Sequence, residues 1–129
     1  MEEAGLILCD TDILIEFLDR RNEDVKRKLE EFGVFNVCFS SVTASELIFG
    51  ATDKKHHLRL VAFISNSIVV PIDKEVSDLH FELVKKYSLS HRLKVQDALI
   101  AATALTYDLV FYSNNKKDFK FVEGLRLVE

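Results

Sequence analysis

The sequence predicts an α/β fold, a parallel sheet covered by helices on both faces, from three observations. Four apolar runs, Leu6–Cys9, Val37–Phe39, Ile68–Val70 and Val110–Tyr112, are short and continuous, as in strands buried on both sides. The segments between them carry helical spacing and are long enough to return the chain to the edge where a parallel strand begins. One of these segments, Val95–Tyr107, is apolar almost all round through Ala98–Leu105, the pattern of a helix enclosed within a domain.

In chain order, Leu6–Cys9 is the first strand. Ile13, Leu14, Phe17 and Leu18 follow at helical spacing, and Asn22–Phe32 is a charged amphipathic helix that Gly33 stops. After the second strand, Ser40 and Ser41 each offer an N-cap for a helix running to about Gly50. Lys54–Ile64 continues as helix, with His56 and His57 placed on a polar, lysine-flanked surface. Pro71 ends the third strand, and a helix built on Val76, Leu79, Leu83 and Val84 precedes the enclosed one. Leu125–Val128 is a weak fifth strand.

Composition narrows the function classes. The chain of 129 residues suits one domain, residues 1–129, and its 48% apolar content with ten Phe, four Gly and one Pro leaves little room for disorder. No apolar run approaches the ~18 residues of a membrane span, and the first residues, Met1-Glu2-Glu3-Ala4-Gly5, have the wrong charge for a signal peptide. A cytoplasmic protein with no membrane partner is expected. Cys9 and Cys38 lack CxxC partners and are expected as buried, reduced thiols, too few for a thiolate metal site. The formal charge of -4, from 17 basic and 21 acidic residues, is not that of a protein held on nucleic acid by bulk charge. It suits a carboxylate-rich site neutralised by divalent cations, two of which would bring the formal sum to zero.

Topology says where such a site lies. In a right-handed parallel α/β sheet, the loops leaving strands and the starts of the returning helices share one edge. Asp10 follows the first strand, and Glu46 lies early in the helix after the second. Asp97 opens the enclosed helix, and Ser113, Asn115 and Asp118 follow the fourth strand. Each has an ordinary structural reading: Asp10 or Asp12 as a helix cap, Glu46 as a solvated helix residue, Asp97 as a complement to the helix dipole. Their shared edge favours a site. Carboxylates crowded there raise one another's pKa unless a cation compensates, and hard oxygen ligands suit Mg²⁺ or Mn²⁺. Two such ions ~3.5–4 Å apart can activate a water and stabilise the leaving oxygen of a phosphodiester.

The motifs themselves resemble the PIN-domain family, in particular the VapC-type toxins of toxin–antitoxin modules. Leu6-Ile-Leu-Cys-Asp10-Thr-Asp-Ile-Leu-Ile15 is similar to the family's opening strand and Asp-Thr-(Asn/Ser) turn. Ser41-Val-Thr-Ala-Ser-Glu46-Leu resembles the segment carrying its Glu, and Val95-Gln-Asp97 with the small-residue helix to Ala104 resembles its third motif. Ser113-Asn-Asn115-Lys-Lys-Asp118-Phe119 resembles the closing pattern. The resemblance covers the chain in order. It implies a three-layer α/β/α fold with a five-stranded sheet of order 3-2-1-4-5, and an Mg²⁺- or Mn²⁺-dependent endoribonuclease. It places the metal on Asp10 and Asp97 with Glu46 completing the site, Asn115 among the catalytic set, and Thr11, Asp12, Ser113 and Asp118 in support. Two departures stand out: Asp12 replaces the usual Asn or Ser, and Asn115 replaces the fourth Asp of some members. A homodimer and an antitoxin partner presenting Arg or Lys to the carboxylates are also implied.

Other readings fit less well. Asp10 and Asp12 match the DxD start of haloacid-dehalogenase-type phosphatases, but no later Gly-Asp-x-x-x-Asp loop exists. A receiver domain built on Asp10, Asp12 and Asp73 conflicts with the two helices before the second strand. An RNA-processing PIN nuclease outside a toxin module, and a catalytically idle RNA- or protein-binding module, remain as alternatives. Arg92, Lys94, Lys116 and Lys117 are candidates for gripping RNA at the rim. Phe32, Phe35, Phe49 and Phe63 are candidates for an apolar two-fold interface.

Overall fold

The computed structural model describes residues 5–129; the acidic stretch Met1–Ala4 lies outside them. The four apolar runs are its strands: β1 (Ile7–Cys9), β2 (Val37–Ser40), β3 (Ile68–Val70) and β4 (Val110–Tyr112). All pair in parallel in the order β3-β2-β1-β4, with Leu8 opposite both Cys38 and Phe111. The expected fifth strand is reduced to a bridge between Leu127 and Phe111. Phe111 N–H donates to Arg126 O (2.8 Å) and Val128 N–H donates to Phe111 O (2.9 Å). Turns occupy Phe119–Gly124, the last at φ +85°, so the chain reaches ladder geometry too late for a longer strand. The sheet is therefore four-stranded, with Leu127 beside β4 where a fifth strand was expected.

Six helices connect the strands: α1 (Thr11–Leu18), α2 (Glu23–Phe32), α3 (Ser41–Phe49), α4 (Lys54–Ser65), α5 (Lys74–His91) and α6 (Val95–Thr106). Strand alternation sorts them into two layers. Leu8, Cys38 and Phe111 face a core made by α5 and α6 with Phe119 and Val122. Ile7, Cys9, Phe39 and Tyr112 face the opposite way, onto Ile13, Leu14, Val25, Leu29, Leu47 and Leu60 of α1–α4. Among the described residues no helix is long and apolar enough to cross a membrane. The enclosed helix is α6, whose Ala98, Ala101, Ala102 and Ala104 are buried against α5, α3 and the sheet. Alanines keep that helix narrow enough to be surrounded.

Local chemistry fixes the ends. The Ser40 hydroxyl accepts from Thr43 N–H (3.1 Å) and caps α3, while Asn22, Asp53 and Asp73 cap α2, α4 and α5. Cys9 and Cys38 are free and fully buried, and burial pushes the Cys38 thiol up to about 12. They lie on opposite faces of the sheet, so no disulfide can join them.

Two surface expectations need correction. His57 is exposed as expected, but His56 is only 9% exposed. Adjacent helix residues point about 100° apart, so one imidazole turns inward where its neighbour turns out. Of the four Phe residues assigned to an apolar interface, Phe63 stacks on Phe39 (centroids 5.7 Å, interplanar 12°) and Phe32 is half-buried. Only Phe35 (94% exposed) and Phe49 (93%) project freely, and they line different surfaces.

Candidate active site

The end of β1 sets the site's first group. Asp10 N–H donates to Tyr112 O of β4 (2.9 Å), which fixes the residue at the sheet edge. Its carboxylate caps α1, Oδ1 accepting from Thr11 N–H (2.9 Å), while Oδ2 accepts from the Ser113 hydroxyl (2.8 Å). Ser113 Oγ in turn accepts from Asn115 N–H (3.0 Å). Asp10 is 7% exposed, and burial pushes its carboxyl up to about 6. The charges of Asp12 and Asp97 act in the same direction, and the bonds from Ser113 and Thr11 oppose it.

Glu46 joins through Thr11. The Thr11 hydroxyl donates to Glu46 Oε1 (2.7 Å) and lies 3.4 Å from the fully buried Thr43 Oγ1, so α1 and α3 share one polar seam. Asp12 turns toward the loop after β4, where Oδ2 accepts from Asn114 N–H (3.1 Å) and Asn115 Nδ2 (3.3 Å). Its Oδ1 is buried with no hydrogen-bond partner among the described residues, and burial raises the Asp12 carboxyl above its ordinary range. Asn115 thus acts here as a clamp on Asp12.

Asp97 sits in the first turn of α6, half-buried. Burial raises its carboxyl, Asp118, Glu46 and Asp12 raise it further, and Lys94 pulls it down. Lys94 is the N-cap residue of the same helix. Asp118 belongs to a short 3-10 turn, Lys116–Asp118, that also exposes Lys116 and Lys117. Arg92 ends α5 in the left-handed conformation, φ 57°, and is exposed as well. Among the described residues none of Arg92, Lys94, Lys116 and Lys117 is held in a salt bridge.

The donors are all hard oxygens, the set that suits Mg²⁺ or Mn²⁺ rather than a soft metal. Among the described residues no three acidic, His or Cys side chains close into a cage. Asp10, Glu46 and Asp12 are instead held by hydroxyl or amide neighbours, with Asp12 Oδ1 left unmatched among the described residues. An orphaned buried oxygen among carboxyls that resist ionising is what a divalent cation would relieve, so the residues fit one by their chemistry.

The sequence pattern did not single out several participants. Thr43 and Asn114 carry no chemical signature of their own: one matters for a buried hydroxyl, the other for a backbone N–H. Beside Glu46, a cleft of about 720 Å³ opens between Thr11, Ser45, Phe49, Ile72 and Gln96. Only the packing of α3 against the start of α6 creates it.

The family of PIN domains matches residues 7–125 of the chain. Ribonuclease VapC2 of Haemophilus influenzae is 30% identical over 125 residues, covering 92% of this chain and 93% of that protein. A toxin-antitoxin complex from Klebsiella pneumoniae contains a chain of similar structure, with TM-score 0.79 and 27% identity, covering 95% of this chain and 96% of that one. DNA-bound VapBC from Salmonella typhimurium gives TM-score 0.82 at 24% identity over 96% of this chain and 97% of that one, a likeness of fold.

Proposed function

The chain belongs to the PIN-domain family, and from that premise we propose that it is an endoribonuclease that hydrolyses RNA phosphodiesters as the toxin of a VapBC-type toxin–antitoxin module. What supports the reading is that Thr11 bonds both Asp10 and Glu46, with Asp97 in the first turn of α6, in a family with VapC ribonucleases among its members. The whole 129-residue chain acts as one nuclease domain, in the cytoplasm.

Asp10 and Asp97 would hold Mg²⁺ or Mn²⁺, with Glu46 completing the site. A divalent cation supplies a polarised water and relief of charge on the phosphodiester. The chain's own residues do the positioning. Ser113 holds Asp10 Oδ2, and Thr11 fixes Glu46 Oε1, leaving the second Glu46 oxygen to orient the water. Asn114 and Asn115 hold Asp12 close behind them. An antitoxin segment presenting Arg or Lys to Asp10, Glu46 and Asp97 would silence the site by taking the place of the cation, because guanidinium and carboxylate pair bidentately.

Purified protein incubated with a mixed RNA pool tests the reading. Cleavage should appear with Mg²⁺ or Mn²⁺, vanish with EDTA, and fall at least about 100-fold in Asp97→Asn. Cleavage that persists in EDTA, or at full rate in Asp97→Asn, rejects it.

A further inference from the structure

We propose that the cleft beside Glu46 is a nucleobase subsite, in which Phe49 stacks a base of single-stranded RNA next to the phosphodiester bound at the carboxylates. This rests on the ribonuclease reading above. Phe49 is 93% exposed at the last turn of α3, an aromatic side chain left in water. It stands one turn beyond Glu46, three residues or about 4.5 Å along the helix axis. Glu46 and Thr11, already bonded to each other, form the wall of the same cleft.

The lining selects the part of the nucleotide that enters. Among the described residues Glu46 is its only charged side chain, and no Lys or Arg contributes, so a phosphate has no partner there. An aromatic face, the aliphatic Ile72, the Ser45 hydroxyl and the Gln96 amide suit a base instead, with stacking below and hydrogen bonds at its edge. At about 720 Å³ the space lies within the ordinary range for small-ligand sites, about 300–1,000 Å³. The aromatic, hydroxyl and amide lining beside Glu46 favours a base of the substrate as the occupant.

The test uses single-stranded oligoribonucleotides carrying 2-aminopurine at each position across the cleaved bond in turn. They are bound to an Asp97→Asn background with Mg²⁺, alone and combined with Phe49→Ala or Phe49→Trp. One position should be quenched on binding, the quench should vanish with Phe49→Ala, and Phe49→Trp should restore it. In the otherwise native enzyme, Phe49→Ala should raise KM roughly 5- to 100-fold with a much smaller change in kcat. Phe81→Ala, which removes another exposed aromatic on α5, should leave KM unchanged. Phe49 is solvent-exposed, so its truncation does not threaten the fold. Quenching and KM indifferent to Phe49→Ala would overturn the proposal. So would a dimer that Phe49→Ala splits without moving KM, because the aromatic would then serve a second copy. If the native protein fails to cleave RNA while the quench still depends on Phe49, the ribonuclease reading falls and the base subsite stands.

Discussion

Asp10 is tied at both oxygens, to Thr11 N–H and to the Ser113 hydroxyl, yet it is hard to ionise because burial outweighs those bonds. The folded chain therefore keeps a proton on Asp10 that the unfolded chain releases between the ordinary 3.8 and about 6. Protons bound in excess by the folded state make stability fall as pH rises. The contribution is fully present below 3.8 and is lost as pH rises through about 6; a shift of that size is worth about 3 kcal/mol. Metal-free thermal melts should show Tm dropping from pH 4 to pH 7, with Mn²⁺ reversing most of the drop at pH 7. Asp10→Asn preserves the shape and both hydrogen bonds, since its amide can donate to Ser113 Oγ. It should raise the metal-free Tm at pH 7 by about 10 °C and remove the Mn²⁺ response. A metal-free Tm that is flat with pH in the native protein would contradict the burial argument.

At the scale of elements, His56 is a tie between helices. Thr52 N–H donates to Nδ1 (3.1 Å), which leaves Nε2–H to donate to Asp19 Oδ1 (3.0 Å) at the C-terminal end of α1. The ring thus joins the start of α4 to the end of α1, the helix whose opposite end carries Asp10. His56→Leu removes both bonds of the ring, but Asp19 and Thr52 are exposed and water can replace it, so the loss is roughly 0.5–1.5 kcal/mol. Urea denaturation should show that loss, and His56→Gln should recover part of it. Equal stability of native protein and His56→Leu would mean the tie contributes nothing. The α6 helix shows the complementary case, where small side chains rather than polar ties let three neighbours approach one helix.

The whole molecule carries charge unevenly: a formal -4 overall, a carboxylate edge, and four basic side chains near that edge free of salt bridges among the described residues. If Arg92, Lys94, Lys116 and Lys117 hold phosphates, replacing each by Gln should flatten the log–log salt dependence of RNA binding by up to about 0.7 unit. An identical slope in all four variants assigns them to solvent. A second property belongs to the molecule as a unit. Val34, Phe35 and Ile68 are exposed around a cavity of about 290 Å³ that Phe17 and Phe63 also line. Such an apolar surface suits a self-complementary two-fold contact. Light scattering at micromolar concentration should give twice the 14.8 kDa of one chain, shifting toward one chain in Phe35→Asp. A monomeric mass for the native protein defeats that expectation.

The order of the strands was an implication of the family resemblance, whereas the sequence by itself determined the strands, their parallel α/β arrangement and the edge expected for Asp10, Glu46 and Asp97. These follow from local information: continuous apolar runs, helical spacing, and the rule that loops leaving parallel strands share an edge. It also placed Ser113 and Asp118 at that edge, because both directly follow a strand. Only the tertiary structure decided what each group touches. That His56 rather than His57 turns inward follows its spacing, four residues before the buried Leu60, but its partner Asp19 comes from α1 and only the fold supplies it. Whether Leu125–Val128 pairs fully depends on how much chain the preceding turns consume. The clamp of Asn115 on Asp12, the seam from Thr11 to Glu46, and the cleft under Phe49 all join residues from separate elements. Side-chain contacts of that kind arise from packing distances of a few ångströms, which spacing along one chain does not specify.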